Sequence, residues 1–220
     1  MKKPDDAPDL RVLGLEDIRK EAESFRMLHC GEGLPVDIDL AVEKTGIRVV
    51  PLPRMREECK KDACVSPYGD TIWVTYDPHT NSFFDVRTRF SMAHEVAHLI
   101  LHRPFFEWMR GRYDDNPLDW VREIRLQSEQ YYASQLEREA DEFAGRLLVP
   151  VICLREQFKT VLAEVGSTVQ DLRRHNDYDV RNRLALKIHK KFAVSVQCLA
   201  MRLLLEGVYP PLPDSSGEKG

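Results

Sequence analysis

The stretch RFSMAHEVAHLILH, residues 89–102, sets three histidines four residues apart and places a glutamate directly after the first. Helical spacing puts residues four apart about 6 Å along the axis and about 40° around it. His94 and His98 can then bring imidazole nitrogens to one ion at about 2.0–2.1 Å. His102 lies about 12 Å along the axis from His94, too far to share that ion on a continuous helix, so it is read as a hydrogen-bonding or packing residue near the helix end. Glu95 points away from the ion but can reach a water bound there, where a general base belongs. HEVAH is thus the HExxH arrangement of zinc hydrolases, in which two imidazoles need a third ligand from elsewhere in the chain.

The metzincin pattern would supply glycine and histidine seven and ten positions after the first histidine. Those positions hold Leu101 and Pro104. A glutamate from a second helix is the alternative, and QLEREADEFAGRLLVP offers one. Ala133, Ala140, Ala144 and Leu148 form an apolar stripe of mostly small residues, and Glu137 and Asp141 fall within it. A carboxylate facing a core is costly without a cationic partner, which a zinc ion would be. Asp141, one turn after Glu137, could accept the outer N–H of a ligating histidine and fix its tautomer. Glu139 and Glu142 lie off the stripe and are expected to be solvated.

Around these motifs the chain reads as α+β, with a small N-terminal sheet or hairpin followed by a mostly helical core. LEDIRKEAESFRMLHC has helical spacing, with Ile18, Ala22, Phe25 and Leu28 on one side. A short helix ends at Gly46, a strand follows at 47–53, and Tyr68-Gly69-Asp70 marks a hairpin turn. Helical pattern runs from Ser82 to Arg103, where Pro104 marks its end. Residues 103–120 read as an irregular aromatic loop, 121–148 as one long helix closed by Pro150, and 152–206 as three more helices. Residues 1–9 and 209–220 are expected to be flexible, with one domain over 10–208.

The 220 residues carry a net charge of −4, too little field to hold nucleic acid nonspecifically. No apolar run suits a membrane span or a signal-peptide core. The five cysteines show no framework spacing, which suits reduced thiols and a cytoplasmic setting.

RFSMAHEVAHLILH followed by EREADEFAGRLLVP resembles the ImmA/IrrE metallopeptidases, whose pattern is phenylalanine shortly before HExxH, a histidine four beyond it, then ExxA(D/N)xFAxxLLxP. LPVDIDLAVEKTGIRVVPLP is similar to the family's opening helix and strand, and IHKKFAVSVQCLAMRLLLEG to its closing helical pair. The likeness spans about residues 34–208. It implies one zinc ion per chain held by His94, His98 and Glu137, Glu95 as general base, and Asp141 behind a ligand. It also implies cleavage of a helix-turn-helix (XRE-type) repressor in a stress response. Two imidazoles and a carboxylate suit zinc, without settling it against manganese or iron. Tyr131, Tyr132 and His175 are candidates to steady an oxyanion, none singled out by spacing. His29, His79 and His189 are expected to be structural or exposed.

Two other functions compete. VRNRLALKIHKKFAVSVQCLAMRLLLEG, within about 180–207, has a basic helix, a turn with Ser195 as N-cap and an amphipathic helix, the outline of a DNA-binding helix-turn-helix. Ala193 and His189 stand where smaller residues ease such a turn, and CLAMRLLL suits burial better than a groove. The other is a relative that binds the repressor without cleaving it, which the full set of catalytic residues disfavours.

Overall fold

In the computed structural model, residues 4–75, 86–110, 116–132, 134–172 and 176–210 are described, and the chain divides into two compact units, Met1–Leu148 and Val149–Gly220. Helix α1 (Leu15–Phe25) buries Ile18, Ala22 and Phe25 at the spacing read from the sequence, then widens into one π-helical turn, Arg26–Cys30. The wider turn rotates the chain off the stripe, so Leu28, expected on the buried side, is 75% exposed. Helix α2 (Ile38–Lys44) begins at Asp37, whose carboxylate accepts from the Leu40 N–H at 3.0 Å.

Strand β1 (Arg48–Pro51) follows Gly46, which takes the left-handed conformation that ends the preceding turn (φ 78°). A short helix, α3 (Met55–Cys59), comes next, with Arg54 and Lys60 both left-handed at its ends. The expected hairpin is present: β2 (Ala63–Val65) pairs antiparallel with β3 (Thr71–Val74), Cys64 opposite Trp73. Strand β1 lies parallel to β3 on its other side, giving the order β1-β3-β2.

Beside this sheet Asp70 Oδ2 accepts from Arg48 Nη2 at 2.7 Å and Asp70 Oδ1 from Ser66 Oγ at 2.9 Å. The hydrogen bonds from Arg48 and Ser66 hold the Asp70 carboxyl below its ordinary 3.8. Because the folded value is depressed, the stabilisation is present above pH 3.8 and is lost as pH falls through the folded value. A carboxyl-carbon NMR titration should place the Asp70 midpoint below 3.8, and Arg48→Ala should move it back up.

Helix α4 (Val86–Leu101) carries the histidine ladder, and the proposed start at Ser82 lies outside the described residues. The loop expected over 103–120 is instead largely helical. Pro104 sits in the first turn of α5 (Arg103–Arg110), where a missing N–H costs nothing, and the His102 carbonyl accepts the Phe105 N–H at 2.9 Å. Much of this stretch is core: Phe105, Phe106, Met109 and Trp120 are buried with Met55, Cys64 and Val65 in one cluster. Each such side chain withdrawn from water contributes roughly 1.5–3 kcal/mol.

Helix α6 (Pro117–Tyr132) also starts earlier than the sequence suggests, and the long helix expected over 121–148 is two helices. Ser134, at φ 64°, breaks it before α7 (Gln135–Leu148) begins. Ala133 lies outside the described residues. Ala93 and Ala97 of α4, and Ala140 and Ala144 of α7, are fully buried, and small side chains of this kind let two packed helices approach closely.

The second unit holds α8 (Val151–Glu164), the four-residue α9 (Val169–Leu172), α10 (Asp177–Phe192) and α11 (Val196–Leu205). Ser195 caps α11 by accepting from the Cys198 N–H, and Ala193 adopts the left-handed conformation at the end of α10. The tail does not begin loosely: Tyr209 is fully buried and donates its hydroxyl to Asp177 at 3.1 Å. Residues 211–220 are outside the described set.

Candidate metal centre

One face of α4 presents His94 and His98, and the first turn of α7 presents Glu137. His94 Nε2 and His98 Nε2 are 3.0 Å apart; Glu137 Oε2 is 3.3 Å from the first and Oε1 is 3.6 Å from the second. Ligand atoms at the corners of a tetrahedron about 2.0–2.1 Å from its centre lie about 3.3 Å from one another. The three measured separations bracket that edge, so the two helices already hold these atoms at zinc-binding spacing.

Glu95 also brings a ligand atom within 4.8 Å of both imidazoles. Of the two carboxylates, Glu137 has the geometry better suited to a ligand. Its two oxygens face the two ring nitrogens, whereas Glu95 Oε2 is held at 2.8 Å by the Val65 N–H of β2. The carboxylate of Glu95 therefore stands beside the centre, anchored from the sheet. Val65 is itself fixed, its carbonyl accepting from Trp120 Nε1 at 2.9 Å.

Around the centre the histidines have definite partners. His94 Nδ1 is 2.9 Å from Asp141 Oδ1, on the exposed end of the cleft. His98 Nδ1 is 2.9 Å from His102 Nδ1, and His102 Nε2 is 2.9 Å from Glu139 Oε2. Glu139 and Glu142, expected to be solvated, are 5% and 7% exposed. The reason is that α1 and the segment before it cover the far side of α7: Leu13 N–H donates to Glu139 Oε1 at 3.0 Å and Arg19 Nε to Glu142 Oε1 at 3.0 Å. An apolar stripe read from one helix does not reveal that a second helix covers its polar side.

The electrostatics are those of a site that wants positive charge. Burial lowers the His94 pKa, but the Asp141 and Glu137 carboxylates outweigh it and carry the imidazole up to about 9. Burial instead drives His98 down to about 3, with the neighbouring His94 and His102 adding to the effect. Burial opposes ionisation of Glu137, yet the His94 imidazole and the Lys61 ammonium hold its carboxyl well below the usual range. The donor set, its spacing and its charge all fit zinc.

Burial raises the Glu95 carboxyl, partly offset by His94 and Lys61. Lys61 was not apparent from the sequence as a site residue. Its Nζ is 3.3 Å from Glu137 Oε2, and although burial opposes its charge, Glu95 and Glu137 raise its pKa. Lys61, Ala63, Phe90, His94, Glu95 and Glu137 line a cleft of about 180 Å³.

The remaining candidates fall elsewhere. Tyr132 is buried in the aromatic core and donates to the Pro8 carbonyl at 2.8 Å, which commits its hydroxyl away from an oxyanion. His79, His175 and the Tyr131 side chain are outside the described residues. His29 packs against Phe25, and His189 Nδ1 is 2.9 Å from the Val194 carbonyl, both structural contacts. All five cysteines are free thiols, and among the described residues no helix is long and apolar enough to cross a membrane. No model of a known protein family matches the chain, and no curated protein matches it either.

Proposed function

We propose that this chain is a zinc-dependent endopeptidase of the ImmA/IrrE kind, acting on an XRE-type helix-turn-helix repressor. The observation that carries the hydrolase reading is the meeting of His94 Nε2, His98 Nε2 and both Glu137 oxygens within 3.6 Å, from two helices far apart in sequence. The repressor as substrate rests on the likeness of the two motifs.

His94, His98 and Glu137 would hold the ion. Zinc bound there supplies Lewis acidity and makes water a nucleophile near neutral pH. Glu95, held at one oxygen by the Val65 N–H, offers the other to take a proton from the attacking water and pass it to the departing amine. Asp141 steadies the ring of His94 from behind, and Lys61 places a positive charge at the cleft wall beside the ligand carboxylate.

A DNA-binding role for α10 and α11 has less support. Helix α11 turns Leu199, Ala200, Arg202 and Leu203 inward, and Arg202 forms a buried ion pair with Glu206 rather than facing a phosphate backbone.

Chelation and reconstitution test the proposal. Purified protein stripped of metal should leave a purified XRE-type repressor encoded beside its gene intact, and one equivalent of zinc should restore a discrete cut. A chain that takes up no zinc, or cuts equally well without it, overturns the proposal.

A further inference from the structure

We infer that His102 and Glu139 are positioning residues for the metal centre, forming a relay that holds His98 in the tautomer whose Nε2 lone pair faces the ion. The inference rests on the metal-centre reading above and extends it to two buried residues outside the ligand set.

Donor and acceptor accounting assigns the relay from its outer end. Glu139 Oε1 accepts from two groups that can only donate, the Leu13 N–H and Gln135 Nε2, each at 3.0 Å. The orientation of the Gln135 amide follows from its second acceptor, the Arg11 carbonyl at 3.3 Å. Glu139 Oε2 is 2.9 Å from His102 Nε2, which therefore carries the hydrogen. That leaves His102 Nδ1 as an acceptor, and among the described residues the polar atom it meets, at 2.9 Å, is His98 Nδ1, which must donate. With its hydrogen on Nδ1, neutral His98 has a bare Nε2, the atom 3.0 Å from His94 Nε2 and 3.6 Å from Glu137 Oε1. The inference concerns which nitrogen holds a hydrogen, not a change of protonation state.

The pair is built like a support rather than like surface polarity. His102 is 1% exposed and Glu139 5%, so neither can exchange its partner for water at little cost. His102 also stands where α4 gives way to α5. Its N–H bonds the His98 carbonyl at 3.0 Å and its own carbonyl accepts from Phe105, so the backbone fixes the ring's position as well. Carboxylates that orient a ligating histidine usually contact it directly. Here a second imidazole lies between, and the anchor extends to the backbone of Leu13 at the N-terminal side of the fold.

Two measurements on the full chain test the relay. The first is imidazole nitrogen NMR on metal-free protein, which reads tautomers directly. His98 should carry its hydrogen on Nδ1 in the wild type. In Glu139→Gln the new amide must turn a donor toward either the fixed donors at Oε1 or His102 Nε2, so His98 should shift toward the Nε2–H form. The second is zinc affinity by competition with a chromophoric chelator, with far-UV circular dichroism confirming the fold. Glu139→Gln and His102→Leu should weaken zinc roughly 10- to 100-fold. His102→Asn, which keeps an oxygen near the position of Nδ1, should bind zinc more tightly than His102→Leu.

An Nε2–H tautomer of His98 in the wild type overturns the inference, even if every variant fails to fold. Unchanged zinc affinity in both Glu139→Gln and His102→Leu overturns it as well. Failure of the wild type to bind zinc would instead strike the metal-centre reading, and the tautomer measurement would still decide the relay.

Discussion

Glu95→Gln will leave the protein folded and its zinc content near one per chain, while cleavage of the repressor falls by a factor on the order of 10²–10⁴. The substitution keeps the size of the side chain and an oxygen able to accept from the Val65 N–H, the contact that fixes the residue at 2.8 Å. What it removes is the capacity to hold a proton in transit. Metal uptake should be unaffected because the ligand atoms lie on His94, His98 and Glu137. Elemental analysis and a gel-based cleavage assay on the same preparation separate the two effects. Activity that survives with zinc in place would exclude Glu95 as the base, and loss of the metal along with activity would mean that Glu95 is itself a ligand.

Glu137→Ala has the opposite signature, weakening metal retention before chemistry is reached. Zinc in a four-ligand protein site is bound by about 10–16 kcal/mol, so losing one ligand costs about 3 kcal/mol, or on the order of 100-fold in affinity. The loss is compounded because the two imidazole nitrogens, 3.0 Å apart, then meet without the carboxylate whose oxygens bridge them. Competition with a chelator should show the drop, and cobalt in place of zinc should lose the visible absorption of a tetrahedral site. If the variant holds zinc as tightly as the parent, the third ligand has been misassigned and Glu95 becomes the next residue to test.

Much of the site can be read from the sequence because helical periodicity is local. Four-residue spacing puts His94 and His98 on one side whatever surrounds them, and an alanine stripe containing Glu137 is visible in α7 alone. Where the reading failed, the deciding partner was distant or the stop signal was misjudged. Pro104 does mark where the α4 pattern stops, but proline is equally suited to a helix's first turn, and a second helix, α5, begins beside it rather than the expected loop. Ser134 breaks the helix before α7 with no glycine or proline to announce it. The burial of Glu139 and Glu142 depends on contacts with residues more than a hundred positions earlier, which no local pattern encodes. The parallel pairing of β1 with β3 is likewise set by the fold and not by either strand's own residues.

The bond between Val65 and Glu95 means that the acid is slung from the N–H of one strand residue, and the carbonyl of that same residue is in turn held by the indole of Trp120 on a different helix. The aim of the carboxyl thus depends on the seating of an aromatic ring that never meets the cleft. Ligands or lesions that loosen that ring would blunt turnover while every acidic and metal-holding side chain stayed intact.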